Sequence, residues 1–583
     1  VVVAPAATTL AQVTQLVSLT SSGTQANDAS EFPSFSADRR YVAFMSLGDN
    51  IVPGDTNAVN DVFVRDLYTG TTERVSVDSA GNEGNDFSGV PSISGDGRYV
   101  AFHSLATNLA PGDTNGVMDI YVRDRLNGTT QRASVSTGGV QGNGASVYPS
   151  ISADGRFVTF QSDATNLVAG DTNNFTDIFV RDLQNSTTER VSIATGGAQG
   201  NNQSLRPALS ADGRYVAFLS AASNLVAGDT NLAADIFVRD RQNGTTERVS
   251  LSSSGMEGNG SSYDCAISAD GRYVTFSSNA NNLVAGDTNG HYDVFLRDRT
   301  SATTELVSVA SSGAQGNNDS WLATSVSDDG RYVAFLSLAS NFGNLNGFYE
   351  VFVRDRQNGT TELAAVASDG THGNNYTLDT CRISGDGRFV VFANYSSNLV
   401  PNDTNGTIDI FIRDRAATGF TSVCDPGLAG VIACPCSNAP SSAGRGCDNS
   451  SATGGATLAA SGIAYLSMDS LVFTTNAEKP TATSIVLQGN TLLANGVVFG
   501  QGVRCVGGTL KRLYTKTASG GSVTAPQAGD ASVSARSAAL GDTISAGQSR
   551  WYLVYYRDPI VLGGCPASST FNATQTAQID WRL

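Results

Sequence analysis

The stretch PSISGDGRYVAFHS (residues 91–104) alternates apolar and polar residues on both sides of Asp96-Gly97. Asp-Gly supplies the positive φ that a tight hairpin turn needs, so the stretch reads as two short antiparallel strands. Further on, MDIYVRDRLNGTTQRASV (residues 118–135) repeats the design around Asn127-Gly128 and adds two more strands. One unit is therefore a four-stranded antiparallel meander with no amphipathic helix in it.

The arginine of DGRYVAF and its variants recurs as Arg40, Arg98, Arg156, Arg214, Arg272, Arg331 and Arg388. The spacing is 58 residues and departs by one only around the sixth copy, which makes a seven-fold internal repeat. A lone meander leaves both its faces bare, and neighbouring units must cover them in a solenoid or a ring. Seven copies favour the ring, because a propeller leaves only short, protected edges around a central channel. The expected fold is all-β: a seven-bladed β-propeller of four-stranded antiparallel blades, followed by a disulfide-bearing β-sandwich. Two segments compete to complete the last blade. VTQLVSL (13–19) matches the outer strand of other units, such as TERVSLS (246–252), yet precedes the first; GFTSVC (419–424) stands where the seventh outer strand belongs.

SADGRYVAF followed by DIFVRDR resembles the TolB-type propeller repeat, over residues about 12–424. The resemblance implies a propeller. It implies no single activity, since that family serves scaffolding, partner binding and, with added domains, hydrolysis.

A net charge of −17 and a pI near 4.6 exclude nucleic acid as a partner, because such a surface cannot replace the counterions of a phosphate backbone. Anionic membranes are excluded for the same reason, and the short, punctuated apolar runs exclude membrane insertion by a spanning helix. Cysteine is concentrated late: Cys424, Cys434, Cys436, Cys447, Cys505 and Cys565 form a disulfide framework, which implies an oxidising compartment and a secreted, extracellular or cell-surface protein. Cys265 and Cys381, at one repeat position in the fifth and seventh units, are expected to remain free thiols.

The repeated GDTN loop offers the main chemical candidate. Asp55/Asn57/Asp61, Asp113/Asn115/Asp119, Asp171/Asn173/Asp177, Asp229/Asn231/Asp235, Asp287/Asn289/Asp293 and Asp403/Asn405/Asp409 stand at calcium-loop spacing. No bidentate Glu closes any loop, and the sixth copy (Asn344, Asn346, Glu350) lacks one carboxylate. The alternative is that Asp and Asn cap their own loop in Asx turns; calcium, if bound, would stiffen loops and not catalyse. The Arg-Asp pairs ending each third strand (Arg65/Asp66 to Arg413/Asp414) read as packing devices, because seven equivalent copies do not make one asymmetric active site. His103, His291 and His372 are the only histidines, and no nucleophile elbow or metal-hydrolase motif accompanies them. No catalytic residue or certain cofactor is therefore assigned. Asn127, Asn185, Asn243 and Asn358 sit in sequons on one repeated turn, so glycans are a candidate modification.

The expected boundaries are 1–11 an N-terminal extension, 12–424 the propeller, 425–448 a Cys-rich connector and 449–583 a C-terminal sandwich. The order CPC, GC, FGQGVRC, YYRDP in the last part resembles a C-terminal domain of secreted bacterial surface proteins, which implies no activity. Residues 1–11, VVVAPAATTLA, are apolar and strand-prone and are not needed to close the ring. Val1, Val2, Val3 and Ala4 could add a strand to a neighbour's sandwich, and a head-to-tail contact that does not close builds a filament. The expectation is a non-enzymatic extracellular structural protein whose partner is itself. Alternatives are a secreted glycan- or peptide-binding propeller, which an exposed aromatic cluster on one face would favour although Trp321 is the only propeller tryptophan, and a secreted hydrolase, which would need one asymmetric carboxylate pair in the channel.

Overall fold

The structure, a computed structural model, describes residues 12–343, 346–415, 421–424, 426–427, 431–436, 438–442, 445–461, 464, 466, 469, 471–527, 529–545, 548–558, 560 and 570–581; of residues 322, 379, 421–424 and 580 it describes only the backbone. The chain divides into two compact units, one spanning Thr14–Asp414 and one built from Arg415 onward.

In the first unit the hairpins pair as read: Ser88–Ile93, Tyr99–Ser104, Asp119–Asp124 and Thr129–Arg132 lie side by side in that order, all antiparallel. Seven such four-stranded sheets occur. The Asp-Gly turns serve the packing as well as the chain reversal. Gly97 has φ +72°, and a Cβ there would lie 2.1 Å from the Tyr41 ring of the preceding blade. Only glycine fits that seam. The apolar faces close on one another between sheets: Val62 and Val64 of one blade pack with Val100, Phe102 and Tyr121 of the next. Each such fully buried large side chain is worth roughly 1.5–3 kcal/mol, so no blade is stable without its neighbours.

The first strands follow one another around a ring, and the last, Thr377–Ile383, packs against the first, Ser30–Phe35. Closure comes from the N-terminal side. Val13–Leu16 pairs with Asp409–Asp414 of the seventh sheet, and Val17 N donates to Ile410 O at 2.7 Å. The rival segment goes elsewhere: Thr421–Cys424 pairs with Thr576–Asp580 in the second unit. The physical reason is in the residues that follow. After its strand, the N-terminal segment supplies Ser18, whose Oγ donates to Asp409 at 2.5 Å, and Gln25, whose amide reaches the same carboxylate at 2.7 Å. The first compact unit ends at Asp414.

The Arg-Asp pairs are structural, as their repetition implied. Asp124 accepts from Arg98 Nε and Nη2 at 2.9 and 2.7 Å, and Arg123 Nη1 donates to Asp78 O at 2.9 Å, stitching the blade to the segment before it. The same contacts recur at Arg156/Asp182 and Arg214/Asp240.

The second unit layers a sheet of Thr421–Cys424, Thr576–Asp580, Ser549–Arg557, Thr483–Gly489 and Lys511–Thr517, with Phe571–Ala573 beside it, over a sheet of Thr457–Ser461, Val472–Asn476 and Val523–Ala525. Leu458, Phe473, Val486, Tyr552 and Trp581 fill the space between them, as a sandwich requires. A separate hairpin joins Thr491–Phe499 to Gly502–Gly507. Cys434 and Cys447 are bonded to each other, and Cys436 and Cys505 are also in disulfides; Cys565 and the Cys424 side chain lie outside the described residues. One element was not expected, the helix Val533–Ala539, capped by the Ser532 hydroxyl accepting from Ala535 N at 3.4 Å. Seven residues are too few to give a helical period above background. Among the described residues no helix is long and apolar enough to cross a membrane.

Candidate functional site at the channel mouth

Each first strand has a register slip, as between Val147 and Ser150 or Leu205 and Ala208. Such a bulge re-aims one side chain. Proline follows in four copies, at Pro33, Pro91, Pro149 and Pro207, and a residue without an N–H donor suits a broken ladder. The bulged residue itself is bent into the left-handed region: Phe32 has φ 50°, Val90 47°, Tyr148 54°, Arg206 52° and Asp264 43°. None is glycine, and such backbone costs about 1–3 kcal/mol per residue. Strain of this kind persists where the surrounding fold imposes it, and it clusters at functional sites.

These five residues line one cavity of about 340 Å³, together with residues of the first strands of all seven sheets. The cavity thus lies on the ring axis. Its lining is where the repeat stops repeating: at one 58-residue interval the side chain is in turn Phe, Val, Tyr, Arg and Asp. On one side the site is aromatic and apolar. On the other, Arg206 Nη1 pairs with Asp264 Oδ1 at 2.6 Å, and the guanidinium lies 5.7 Å from the Tyr148 ring centre. Arg382 faces the same space, exposed to the channel; the crowding of protein atoms around the channel lowers its pKa, and its Nη1 donates to Cys381 O at 3.0 Å. Thr380 Oγ1 is buried on the wall with no hydrogen-bond partner, an unmet polar group of the kind a bound molecule satisfies. None of these ring residues was among the sequence candidates. The signal that finds them is the one variable position next to the repeated proline.

The two free thiols are both here or beneath. Cys265 lines the cavity and Cys381 is buried, and enclosure pushes both thiols up to about 12. They carry no thiolate at neutral pH and are poor nucleophiles. Asp264 is the one carboxylate among the described lining residues, and Arg206 already holds it; no second carboxylate is described there to share acid–base work. Burial lowers His103 to about 4, which leaves it neutral beneath Tyr148, ring centres 6.2 Å apart.

The calcium candidates stand on the GDTN loops, away from this wall. In all six loops the asparagine is a turn residue. The side-chain oxygens of Asn57, Asn115, Asn173, Asn231, Asn289 and Asn405 accept from the backbone N–H two residues on, at 3.0, 3.2, 3.2, 2.9, 3.0 and 3.2 Å. Their amide groups donate to the closing aspartates Asp61, Asp119, Asp177, Asp235, Asp293 and Asp409, at 3.0, 3.0, 3.0, 3.1, 2.7 and 2.9 Å. As calcium ligands beside the aspartates these asparagines would have to exchange those contacts for the ion. Asn115, Asn173, Asn231, Asn289 and Asn405, like Asn57, use the oxygen that would bind a cation to hold the Asx turn, and turn an N–H toward the carboxylate that would share the ion.

In four blades an arginine at the end of the fourth strand already supplies the cation. Arg74 lies 3.3 Å from Asp55, 3.1 Å from Asp61 and 2.7 Å from Glu83, so the three clustered carboxylates of the first blade surround a guanidinium. Arg190 stands 2.9 and 3.2 Å from Asp171 and Asp177, and Arg248 3.2 and 3.1 Å from Asp229 and Asp235. Arg132 is looser, 3.8 and 3.7 Å from Asp113 and Asp119. The six loops are thus not alike at the aspartates: blades one to four carry their own counter-ion. In blades five to seven the position is Leu306, Leu363 and Leu16. There Gln315 reaches Asp287 at 3.3 Å, Glu350 binds Asn346 and Thr377, and Gln25 bridges Asp403 and Asp409 at 2.7 Å each.

The sequon asparagines are turn residues as well. Asn127, Asn185, Asn243 and Asn358 each donate an amide hydrogen to the aspartate three residues before, at 2.9 Å. The assembly strand, Val1 to Ala4, lies outside the described residues.

No protein-family model matches the chain, and no curated protein does. Solved structures do resemble it. TolB from Acinetobacter baumannii is 17% identical over 52% of this chain and 58% of its own, with a TM-score of 0.32. A putative TolB from Agrobacterium tumefaciens is 20% identical over 52% and 87%, TM-score 0.31. The β-propeller domain of the Trilobed protease from Pyrococcus furiosus is 11% identical over 63% and 91%, TM-score 0.38. The chain is a β-propeller protein, and likenesses this loose carry nothing about its family or its site.

Proposed function

We propose that the chain is a non-catalytic recognition propeller of an oxidising, extracytoplasmic compartment, which holds a ligand at the mouth of its channel. The observation that carries this reading is the strained ring Phe32, Val90, Tyr148, Arg206 and Asp264, different in every blade of an otherwise repeated frame. A packing device would be the same in each copy; an asymmetric set of side chains on a cavity is what recognition needs. Binding of the intact chain to arrays of soluble polysaccharides and of peptides tests it. Tyr148→Ala and Arg206→Ala lower retention at least tenfold while each variant keeps a single cooperative melting transition. Retention unaffected by both, or absent for every probe, overturns the reading.

A second reading, self-assembly through a donated N-terminal strand, has one observation in its favour. Thr491–Phe499 pairs on one side with Gly502–Gly507, no other strand pairs with it among the described residues, and it exposes Leu492, Val497 and Val498. Apolar edges of this kind invite an added strand. The peptide VVVAPAATTLA should bind the chain lacking residues 1–11, and Val498→Lys should abolish that binding. A full-length chain that stays monomeric in sedimentation at about 100 μM, well above common assembly affinities, ends this reading.

A further inference from the structure

Blades five and six carry an aromatic row at positions that are not aromatic in blades one to four. Tyr263 and Tyr292 have ring centres 6.1 Å apart, Tyr292 stacks on Trp321 at 5.0 Å with planes 28° apart, and Trp321 Nε1 donates to the Tyr349 hydroxyl at 2.6 Å. All four are half-buried. The positions equivalent to Tyr292 are Asn60, Met118, Thr176 and Ala234 in the first four blades, and those equivalent to Trp321 are Glu31, Gly89, Val147 and Leu205. The arc begins at the channel mouth, since Tyr263 directly precedes Asp264 of the strained ring.

We infer that this arc is a subsite for a neutral polysaccharide chain, resting on the reading of the channel mouth as a recognition site. Three features select that class. Flat, amphipathic rings with an apolar face and a polar tip suit the C–H faces and hydroxyls of sugar rings. The polar side chains beside the arc, His291 and Asp319, already face each other at 3.1 Å, and Asp319 also accepts from Tyr292 N at 3.0 Å. That pair is engaged with itself and does not select an ionic ligand. Nor does the backbone offer an edge to an extended peptide: Ser320 N donates to Tyr292 O at 2.7 Å and Thr377 N to Tyr349 O at 3.0 Å, so main-chain groups here are used within the fold. Affinity then comes from side-chain faces, as in a stacking platform.

Affinity electrophoresis of the full chain in gels containing hydroxyethyl cellulose, galactomannan or arabinoxylan tests the inference. At least one of the three retards the protein. Trp321→Ala and Tyr292→Ala weaken that retardation at least tenfold, Phe175→Ala, an exposed aromatic of the third blade, leaves it unchanged, and melting curves certify the fold of each. Should Trp321→Ala not fold, Trp321→Leu and Tyr292→Ala together carry the test. No retardation of the wild type by any of the three, or retardation kept in both arc variants, overturns the inference. Peptide retention that depends on Tyr148 and Arg206 with no polysaccharide binding overturns it while leaving the channel-mouth reading standing; loss of both ends both.

Discussion

Blades one to four and blades five to seven share a loop and differ at its base. In the first group a buried aspartate pair closes around an arginine, Arg74, Arg132, Arg190 or Arg248; in the second a leucine takes that place, at Leu306, Leu363 and Leu16. The consequence is electrostatic. Burial raises Asp293 and Asp409 to about 6 and Glu350 to about 8 with no opposing guanidinium. Asp55 also reaches about 6, by burial first and the neighbouring Asp61 next, although Arg74 opposes it. A repeated loop can thus keep its shape by ion pairing or by proton uptake. The second group is also the one that bears the aromatic arc.

The largest expected effect is in the first group. Arg190→Leu imports the second group's residue and strands Asp171 and Asp177, so it should cost about 3–5 kcal/mol in denaturant unfolding, as breaking one side of a buried pair does. A loss under about 1 kcal/mol would erase the distinction between the groups.

Next comes pH. A carboxyl whose folded pKa is raised contributes stability that is fully present below its unfolded value and is lost as pH rises through the folded value. Melting temperature should therefore decline as pH rises through 6, for Asp293 and Asp409, and again through 8, for Glu350. Glu350→Gln should remove the upper step, an effect on the order of a few kcal/mol at pH 9. The aspartates of the Arg-Asp pairs run oppositely: Asp124, Asp182 and Asp240, held at about 2 by their arginines, turns and backbone donors, lend stability that is lost as pH falls toward 2. A melting curve flat from pH 5 to 9 contradicts the assignment.

A smaller effect is expected for Leu306→Arg, which gives blade five the counter-ion of its neighbours. It should gain about 1 kcal/mol at pH 8 and lower the Asp293 midpoint, read by carbon-detected titration. EDTA should have the least effect, with a shift in melting temperature below about 1 °C, which corresponds to a few tenths of a kcal/mol or less. A larger calcium-dependent rise, abolished by Asp287→Asn, would place the external cation in the second group alone.

Most of the fold was legible because its signals are local and repeated. Asp96-Gly97 and Asn127-Gly128 mark hairpins wherever they stand, and seven copies turn weak strand signals into a count. The choice between Val13–Leu16 and Thr421–Cys424 was not legible as strands, since both alternate correctly; the discriminating residues, Ser18 and Gln25, lie after the strand and act across nearly four hundred positions. The candidate site was hidden for the opposite reason. Motif reading rewards what recurs, such as Asp287/Asn289/Asp293, whereas the channel mouth is defined by the residue that changes from copy to copy. Spacing alone also does not say which atom of Asn289 faces Asp293; the turn decides that, by claiming the oxygen for His291 N. Whether a loop aspartate meets an arginine depends on a strand-end residue thirteen positions on, Arg74 for Asp61, and that proximity exists only after pairing.

The clasp between Val13–Leu16 and Asp409–Asp414 also sets a timetable. During synthesis, six sheets can pair from contiguous chain as it emerges, each from strands fewer than sixty residues apart, but the seventh must wait for both ends of the ring. Until then the third strand of the last sheet has an open edge and the N-terminal strand has no partner, a state exposed to mispairing with other chains. Closing a loop this long costs entropy once, and slowly. Once shut, the same connectivity means that no blade can peel away from an end of the ring without first releasing that clasp.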